Sequence, residues 1–241
     1  MTIRRETMSL KKSITVIIVV SFIVLIIATL IMTWSSNNDD QNIENVKALH
    51  KDTLKSPTAG HNNKVILTEF GDYKCPYCGD FEKNIKPKLE KAYIDTDKVE
   101  FRYVNVLLHG KESLRGSRAA LAVNRIAPAA YWDFHHYLYA HQPQSKKAVT
   151  HQTWLTDDLI KKGVNQLEVT SKQKEDILHA YQAKTDASLT HVKADNHLFE
   201  KYHVKQVPAL YVNGKRVEDV TDYQSIKKAI DTALHEENKE K

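Results

Sequence analysis

The feature that most restricts how this chain can fold is its cysteine content. Only two cysteines, Cys75 and Cys78, occur in 241 residues, and they lie three positions apart. A single pair so close together cannot staple a scaffold, so the core must be held by apolar packing. Apolar residues make up 41% of the chain and charged residues 27%, which suits one sizeable globular domain. The pair therefore points to chemistry rather than to architecture.

The patterns around the cysteines predict that they lie where a strand ends and a helix begins. Residues 65–70 form a short apolar run typical of a buried strand. From Pro76 to Ile94 the pattern is helical, with proline at the first position, where its missing N–H costs nothing. Pro87 should kink or break this helix. Residues 99–108 form the next strand-like run and complete a βαβ unit.

A long helical block follows this unit and leads to a second one. From residue 111 to about 203 the pattern is almost wholly helical, with breaks expected where proline or glycine interrupts it. The expected breaks are at Pro128, Pro143 and Gly163. Residues 209–217 predict a hairpin, because an Asn-Gly pair lies between two short apolar runs. A capping-box pattern at Thr221 predicts a last helix through Leu234, followed by a frayed tail.

An apolar run near the N-terminus predicts a membrane anchor. Residues 13–32 are nearly all apolar, and about 20 such residues span a bilayer. A cleaved signal peptide would have a shorter apolar region ending in small residues at a cleavage site. Basic residues precede the run, whereas the next one after it is Lys47, so the positive-inside bias keeps the N-terminus cytoplasmic. We therefore expect a transmembrane helix at 13–34, with the rest of the chain outside the cytoplasm.

The position of the cysteine pair at a helix start favours redox chemistry. Cys75 would lie near free backbone N–H groups and the positive end of the helix dipole, which both favour thiolate over thiol. A stabilised thiolate is a good leaving group, so a substrate dithiol would readily reduce the disulfide form. Cys78, one turn further along, would be shielded and act as the resolving partner.

Two other classes of function have weaker support. A C-x-x-C pair also looks like half of a zinc site, so a metal-binding module stays open as an alternative. No second pair exists, and the clustered histidines His135, His136 and His141 have the spacing of a solvated helix face. We therefore predict no metal and no cofactor. The formal charge of +5 comes without a long basic run, which argues against nucleic-acid binding.

The residues around the cysteines resemble a known family. The segment 69–78 reads Glu-Phe-Gly-Asp-Tyr-Lys-Cys-Pro-Tyr-Cys, and Val207-Pro208 precedes the last hairpin. Together they resemble the DsbA family of thiol:disulfide oxidoreductases, and more narrowly the membrane-anchored DsbA-like oxidases of Gram-positive bacteria. The likeness covers about residues 64–234. It implies an α/β fold that is thioredoxin-like, with a helical insertion domain, preceded here by a single transmembrane helix.

With this resemblance, the chain is expected to consist of six segments. They are a cytoplasmic N-terminus (1–12), a transmembrane anchor (13–34), an extracytoplasmic spacer helix and linker (35–63), a thioredoxin-like βαβ half with the cysteines (64–110), a helical insertion (111–203), and a thioredoxin-like ββα half with the tail (204–241).

The resemblance also implies roles for individual residues. Cys75 matches the exposed attacking cysteine and Cys78 the buried one. Pro208 matches the family's cis-proline, whose loop packs against the disulfide and presents backbone to a substrate strand. Glu69 stands where the family carries a buried acid, which would accept the proton that Cys78 gives up; the alternative is a glutamate on a solvated strand face. The residues expected to contact substrate are Pro76, Tyr77 and Val207.

The implied activity is oxidation of cysteine pairs in exported proteins. It would proceed through a disulfide between Cys75 and Cys78 and a mixed-disulfide intermediate, with a quinone-linked membrane protein as the reoxidising partner. A reductase or isomerase would use the same residues, so the direction of electron flow stays open. Tyr77 stands where the most oxidising members carry histidine, so we expect an oxidant weaker than the DsbA potential of about −120 mV.

Overall fold

The first 47 residues form one of the two units into which the contacts of the chain divide it. The computed structural model describes residues 23, 25–27, 47–61 and 64–239. Residues 23 and 25–27 are helical, and their apolar side chains are 48–63% exposed. Among the described residues, no helix is both long enough and apolar enough to cross a membrane. Apart from those four positions, the predicted anchor at 13–34 lies outside the described residues, as does the predicted N-terminus at 1–12.

The second unit, residues 48–241, is built on a five-stranded mixed sheet. Its strands are β1 (Thr58–Ala59), β2 (Ile66–Gly71), β3 (Glu100–Asn105), β4 (Ala209–Val212) and β5 (Lys215–Arg216). They lie side by side in the order β1-β3-β2-β4-β5. Strands β2 and β3 are parallel, and the other pairs are antiparallel. All six residues of the central strand β2 are buried, so any side chain on it faces the interior.

Helices connect and cover these strands. They are α1 (Pro76–Asn84), α2 (Lys86–Leu89), α3 (Lys111–Ile126), α4 (Tyr131–Ala140), α5 (Lys146–His151), α6 (Asp157–Gln166), α7 (Ser171–Gln182), α8 (Ala187–Lys201) and α9 (Tyr223–Lys239). A π-helical turn, Glu90–Ile94, continues α2, and residues 47–52 are also helical. Helix α8 packs against β3 and α9 against β4, while α4 packs against α1. The helical block between β3 and β4 thereby reaches the helix that carries the cysteines.

Most of the predicted breaks and turns are confirmed. Helix α1 ends at Asn84, and α2 begins anew with Pro87 in its first turn. Helices α3 and α4 end just ahead of Pro128 and Pro143, because a proline cannot continue the backbone hydrogen bonding of a helix. Between β4 and β5, Asn213 and Gly214 have φ values of 45° and 76°, as a two-residue hairpin turn requires.

The predicted break at Gly163 is wrong. Gly163 is a buried residue inside α6. A Cβ atom at this position would lie 2.5 Å from Cε1 of Tyr137, on α4. The missing side chain therefore lets α6 pack closely against α4, and this gain outweighs the weak helix propensity of glycine, about 1 kcal/mol relative to alanine.

Two further boundaries differ from the predictions. The predicted linker contributes β1, in which Thr58 pairs with Arg102 of β3. The last helix begins after Asp222, whose carboxylate accepts hydrogen bonds from the first backbone N–H groups of α9, and it continues to Lys239. The tail that was predicted to fray from His235 is thus helical, because its charged residues extend an amphipathic helix that is already anchored by packing.

Candidate active site

Both cysteines lie at the junction of β2 and α1, as predicted. Cys75 is the N-cap residue of α1, and Pro76 occupies the first helical position. The Cys75 thiol donates a hydrogen bond of 3.5 Å to the carbonyl oxygen of Val207. Both cysteines are free thiols, so the structure represents the reduced form. A nucleophile is therefore held at the start of a helix, facing a backbone carbonyl from the other half of the fold.

Cys75 is less exposed than the resemblance implies. Only 4% of its surface is accessible, compared with 0% for Cys78. The Val207 carbonyl covers one side of Cys75, and the Gln142 side chain donates hydrogen bonds of 2.8 and 3.1 Å to the carbonyl oxygens of Tyr73 and Cys75. Two loops thus enclose the first cysteine, and only a small part of its surface is left for a substrate thiol.

The two thiols have opposite acidities. The pKa of Cys75 is lowered to about 7, because its sulfur is hydrogen-bonded by the Cys78 thiol and by backbone N–H groups at the start of α1. Burial opposes this shift but is the smaller effect. Burial raises the pKa of Cys78 well above its ordinary value. At neutral pH the pair therefore holds its negative charge on Cys75 and its proton on Cys78.

The three residues expected to contact substrate have different environments. The Tyr77 ring is 56% exposed and lies under the Lys146 ammonium, 4.2 Å from the ring centroid. Pro76 and Val207 are buried, and the Val207 carbonyl accepts the hydrogen bond from the Cys75 thiol. The peptide bond between Val207 and Pro208 is cis, the isomer that the resemblance implied.

Glu69 lies on the central strand and is 1% exposed, which rules out the alternative of a solvated strand face. Its Oε2 atom has no hydrogen-bond partner. Burial raises the pKa of the Glu69 carboxyl well above its ordinary value, and the negative charge of Glu82 adds to the effect. This carboxyl is therefore protonated more readily than an ordinary glutamate.

A buried charged cluster accompanies Glu69. The Lys86 side chain is 1% exposed, and its Nζ lies 3.1 Å from Oε1 of Glu82 and 3.0 Å from Oε1 of Glu90. His135 Nε2 lies 3.3 Å from Oε2 of Glu82, and its Nδ1 lies 2.9 Å from the hydroxyl of Tyr73. Burying the charges of Glu82 and Lys86 away from water is costly. Their ion pairs and hydrogen bonds must offset this cost.

Of the three clustered histidines, His136 and His141 are exposed, as their spacing suggested, whereas His135 is buried. Burial lowers the pKa of His135 to about 4, so this ring is neutral at pH 7. Hydrogen bonds to Glu82 and Glu90 raise the pKa of His136 to about 9, so this half-exposed ring is charged. Among the described residues, no group of three or more His, Cys, Asp or Glu side chains is placed to hold a metal ion.

A cavity of about 570 Å³ opens beside α1 on the side of the insertion helices. Its lining includes Gly79, Glu82, Glu90, His136 and Gln142. The charged cluster therefore has a route to solvent that does not pass Cys75.

Sequence reasoning missed several residues that shape the site. Gln142 holds the backbone before and at Cys75 from a loop 67 positions away in the chain. Lys74, which is nearly buried, forms an ion pair of 2.6 Å with Glu112. Asp72, which is fully buried, binds the loop before α3 through His109. Asp72 and Lys74 stand within the motif at 69–78, but the sequence carries no signal for His109 or Gln142.

A mixed sheet with a C-x-x-C pair at the first helix, a cis-proline facing it, and a helical block between the two halves defines a DsbA-like thiol:disulfide oxidoreductase. The chain belongs to the thioredoxin family, because the family model described as Thioredoxin matches residues 52–232. Within that family it is an enzyme of the DsbA-like thiol:disulfide oxidoreductase class.

Similar proteins and structures agree with this assignment. The chain is 36% identical over 170 residues to disulfide bond formation protein D of Bacillus subtilis, a match that covers 70% of this chain and 72% of that protein. The solved structure of oxidised BdbD from Bacillus subtilis matches with a TM-score of 0.65 at 32% identity, over 75% of this chain and 93% of that one. DsbA from Chlamydia trachomatis shares the fold, with a TM-score of 0.61 at 17% identity over 76% of this chain and 93% of that one.

Proposed function

We propose that this protein is a membrane-anchored oxidase that introduces disulfide bonds into exported proteins. The observation that carries the proposal is the asymmetry of the cysteine pair. Cys75 keeps a small accessible surface and has a lowered pKa, whereas Cys78 is fully buried with its proton retained. The similar protein of Bacillus subtilis is named for disulfide bond formation, which supports the oxidising direction.

The reaction begins with the oxidised enzyme. A substrate thiolate attacks the sulfur of Cys75, the bond between Cys75 and Cys78 breaks, and Cys78 leaves as a thiolate that takes up a proton. A second substrate thiolate then attacks the mixed disulfide, and Cys75 leaves as a thiolate. The substrate loses two electrons and two protons and gains a disulfide, while the enzyme becomes a dithiol. The low pKa of Cys75 makes it the better leaving group in the second step.

Reoxidation requires an acceptor for two electrons and a base for the Cys78 proton. A quinone-linked membrane protein is the proposed electron acceptor. Glu69 is the proposed proton acceptor, because it is a buried carboxyl whose charge is close enough to raise the pKa of Cys78. With Glu69 in this role, a base at the protein surface would not be needed to take the proton from the buried Cys78 thiol.

The proposed substrate surface adjoins Cys75. An extended substrate segment would lie along the backbone at Val207 and Pro208, in place of the hydrogen bond that the Val207 carbonyl now accepts from Cys75. Tyr77 supplies an exposed aromatic ring next to it, and Pro76 fixes the helix start beneath. Recognition through backbone suits an enzyme that acts on many different unfolded chains.

The anchor completes the proposal. The apolar run at 13–34 would span the membrane once, leaving the N-terminus in the cytoplasm and the catalytic domain outside. The described residues at 23 and 25–27 support this, since they are helical and expose apolar side chains. A tether at the membrane surface would raise the effective concentration of encounters with a reoxidising membrane protein.

The test uses oxidised full-length protein in detergent micelles mixed with a reduced, unfolded dithiol protein. We expect about one disulfide transferred for each enzyme pair, and none with Cys75→Ser or Cys78→Ser, because neither variant can form the disulfide between Cys75 and Cys78. Transfer by Cys75→Ser at the wild-type rate would contradict the proposal. So would stoichiometric metal in protein purified without reductant, which would favour a metal-binding module.

A further inference from the structure

The carboxylate of Asp72 joins the active-site turn to the loop before α3. Asp72 is fully buried, and its Oδ1 accepts a hydrogen bond of 2.8 Å from the backbone N–H of Lys74. Its Oδ2 accepts three more, from the Leu108 backbone N–H at 3.0 Å, the Ser113 hydroxyl at 2.9 Å and His109 Nδ1 at 2.9 Å. Four donors thus converge on one buried carboxylate.

The His109 ring is fixed in its place at Asp72. Its backbone N–H donates to the Ser113 hydroxyl at 3.0 Å, so the residue is held at both its backbone and its side chain. The next residue, Gly110, has a φ of 65°, which lets the chain turn sharply into α3. The His109 side chain is 25% exposed, so its ring can exchange protons with solvent while Asp72 cannot.

His109 contacts the Asp72 carboxylate and, when protonated, can balance its negative charge. The carbonyl oxygen of Asp72 accepts the Cys75 N–H at 2.9 Å, so the two residues belong to one turn, and the negative charge of Asp72 disfavours a second negative charge on the Cys75 sulfur. Lys146 also acts on the charge of Cys75, but it is exposed and its Nζ pairs with Asp80 at 2.8 Å. Lys74 lies in the same turn as Asp72, but its Nζ is 2.6 Å from a carboxylate oxygen of Glu112 and 2.6 Å from a backbone carbonyl oxygen. Its charge is thus already paired.

We infer that His109 is a positioning residue for the redox reaction: its imidazolium neutralises Asp72 and so stabilises the Cys75 thiolate. Protonation of His109 then makes the disulfide form of the enzyme a stronger oxidant, and its deprotonation makes it a weaker one. The inference rests on the proposed role of Cys75 as the nucleophile, but not on the direction of electron flow.

The direction of two pKa shifts agrees with this coupling. The hydrogen bond to Asp72 raises the pKa of His109, and the negative charge of Cys75 raises it further. The Asp72 carboxylate acts in the opposite sense on the thiol, since it raises the pKa of Cys75. Coupling between two sites is reciprocal, so a thiolate that favours protonated His109 must itself be favoured by protonated His109.

The first test needs no substitution. The ring protons of His109 are titrated by NMR in the reduced and the oxidised full-length protein. The reduced form, which carries the Cys75 thiolate, should show the higher pKa for His109. Equal values in the two forms would overturn the inference.

The second test uses His109→Asn, which keeps a hydrogen-bond donor for Asp72 but cannot carry charge. Thiolate absorbance should show the pKa of Cys75 raised by about 0.5–1 unit. Because only about half of Cys75 is thiolate at pH 7, the equilibrium with glutathione should shift about 1.5–2-fold toward the enzyme disulfide at that pH. The difference from wild type should shrink as the pH rises above the raised pKa of His109, where the ring is neutral in both redox forms. A merely structural role would give no such dependence on pH.

A matched control is available in the same chain. His61 Nδ1 lies 3.1 Å from Oδ1 of Asp97, but this exposed pair lies beyond the opposite ends of β2 and β3. His61→Asn should leave the pKa of Cys75 and the glutathione equilibrium unchanged. If His109→Asn also leaves both unchanged, or if the two variants behave alike, the inference is wrong. Neither readout involves an exported substrate or a reoxidising partner, so failure of the proposed oxidase function would leave this test intact.

Discussion

At Cys75, two physical effects act in opposite directions on the same sulfur. Burial disfavours the thiolate, whereas hydrogen bonds from the Cys78 thiol and from the backbone at the start of α1 favour it. The hydrogen bonds win, because they are directed at the charged form and need no rearrangement when the proton leaves. The sequence predicted the second effect from the position of the pair, but it did not predict how deeply Cys75 is buried.

The contribution of Cys78 can be isolated with Cys78→Ala, which removes the largest hydrogen bond to the Cys75 sulfur. The pKa of Cys75 should rise from about 7 toward its ordinary value of 9.0. The measurement is the rate of alkylation of Cys75 as a function of pH. An unchanged midpoint would show that the backbone at the helix start dominates instead.

The proposed proton acceptor can be tested with Glu69→Gln, which keeps the shape of the side chain but cannot take up a proton. Oxidation of the enzyme dithiol by oxidised glutathione should become at least about tenfold slower near pH 7, because Cys78 loses its buried base. The matched control is Glu90→Gln, which changes a half-buried acid of the neighbouring charged cluster. Equal rates for wild type and Glu69→Gln would rule out this role.

At the scale of helices and strands, the sequence predicted features that depend on a few neighbouring residues better than features that depend on contacts between distant elements. The strand before the cysteines, the break at Pro87 and the hairpin at Asn213-Gly214 all follow from backbone restrictions that act within a few residues. Strand β1 could not be predicted, because its two residues become a strand only by pairing with β3. Gly163 was misjudged for the same reason, since its partner Tyr137 lies on another helix.

Gly163→Ala separates propensity from packing, because the two effects have opposite signs. Helix propensity alone would stabilise the protein by about 1 kcal/mol. The added Cβ would lie 2.5 Å from the Tyr137 ring, so we expect a loss of about 1–3 kcal/mol in the free energy of unfolding instead. Denaturant unfolding measures this, with Lys162→Ala at an exposed position of the same helix as the control, expected within about 0.5 kcal/mol. A stabilised Gly163→Ala would contradict the packing explanation.

At the scale of the whole molecule, the site combines one local motif with contacts from distant segments. Cys75, Cys78 and Glu69 could be predicted because they lie within ten residues of one another, and Pro208 because a proline before a hairpin has a family counterpart. His109 and Gln142 could not, because their partners are 37 and 67–69 positions away and loop conformation decides whether they meet. The buried cluster around Lys86 was hidden for another reason: its residues look like an ordinary charged helix surface.

That buried cluster should make the protein lose stability in mild acid. The pKa of His135 is about 4 in the folded protein and 6.5 ordinarily, so below pH 6.5 the unfolded chain binds a proton that the folded chain refuses. The contribution of His135 to stability should therefore fall by on the order of 3 kcal/mol between pH 6.5 and 4. Glu82, whose pKa is lowered well below 4.5, adds its loss only at lower pH, and the contribution of His136 is already complete below pH 6.5.

The check is the free energy of unfolding measured at intervals from pH 7 to pH 4. His135→Gln should be less stable at pH 7, because it loses the contacts to Glu82 and Tyr73, but its stability should change less with acid. His197→Gln, at an exposed position on α8, serves as the control and should follow the wild type. Because protonation of the buried Glu69 acts in the opposite sense over this range, His135 is read from the difference between wild type and His135→Gln; a difference that stays constant between pH 6.5 and 4 would contradict the neutral, buried state of His135.

The proposed oxidase is tested most directly by the redox state of Cys75 and Cys78 in growing cells. Rapid acid quenching followed by alkylation of free thiols fixes this state, and a sample that is fully reduced before alkylation identifies the dithiol position on a gel. An oxidase that is continually recharged should be found mostly as the disulfide between Cys75 and Cys78. A pair found mostly as free thiols would contradict the oxidase and would assign the same cysteines to a reductase or isomerase.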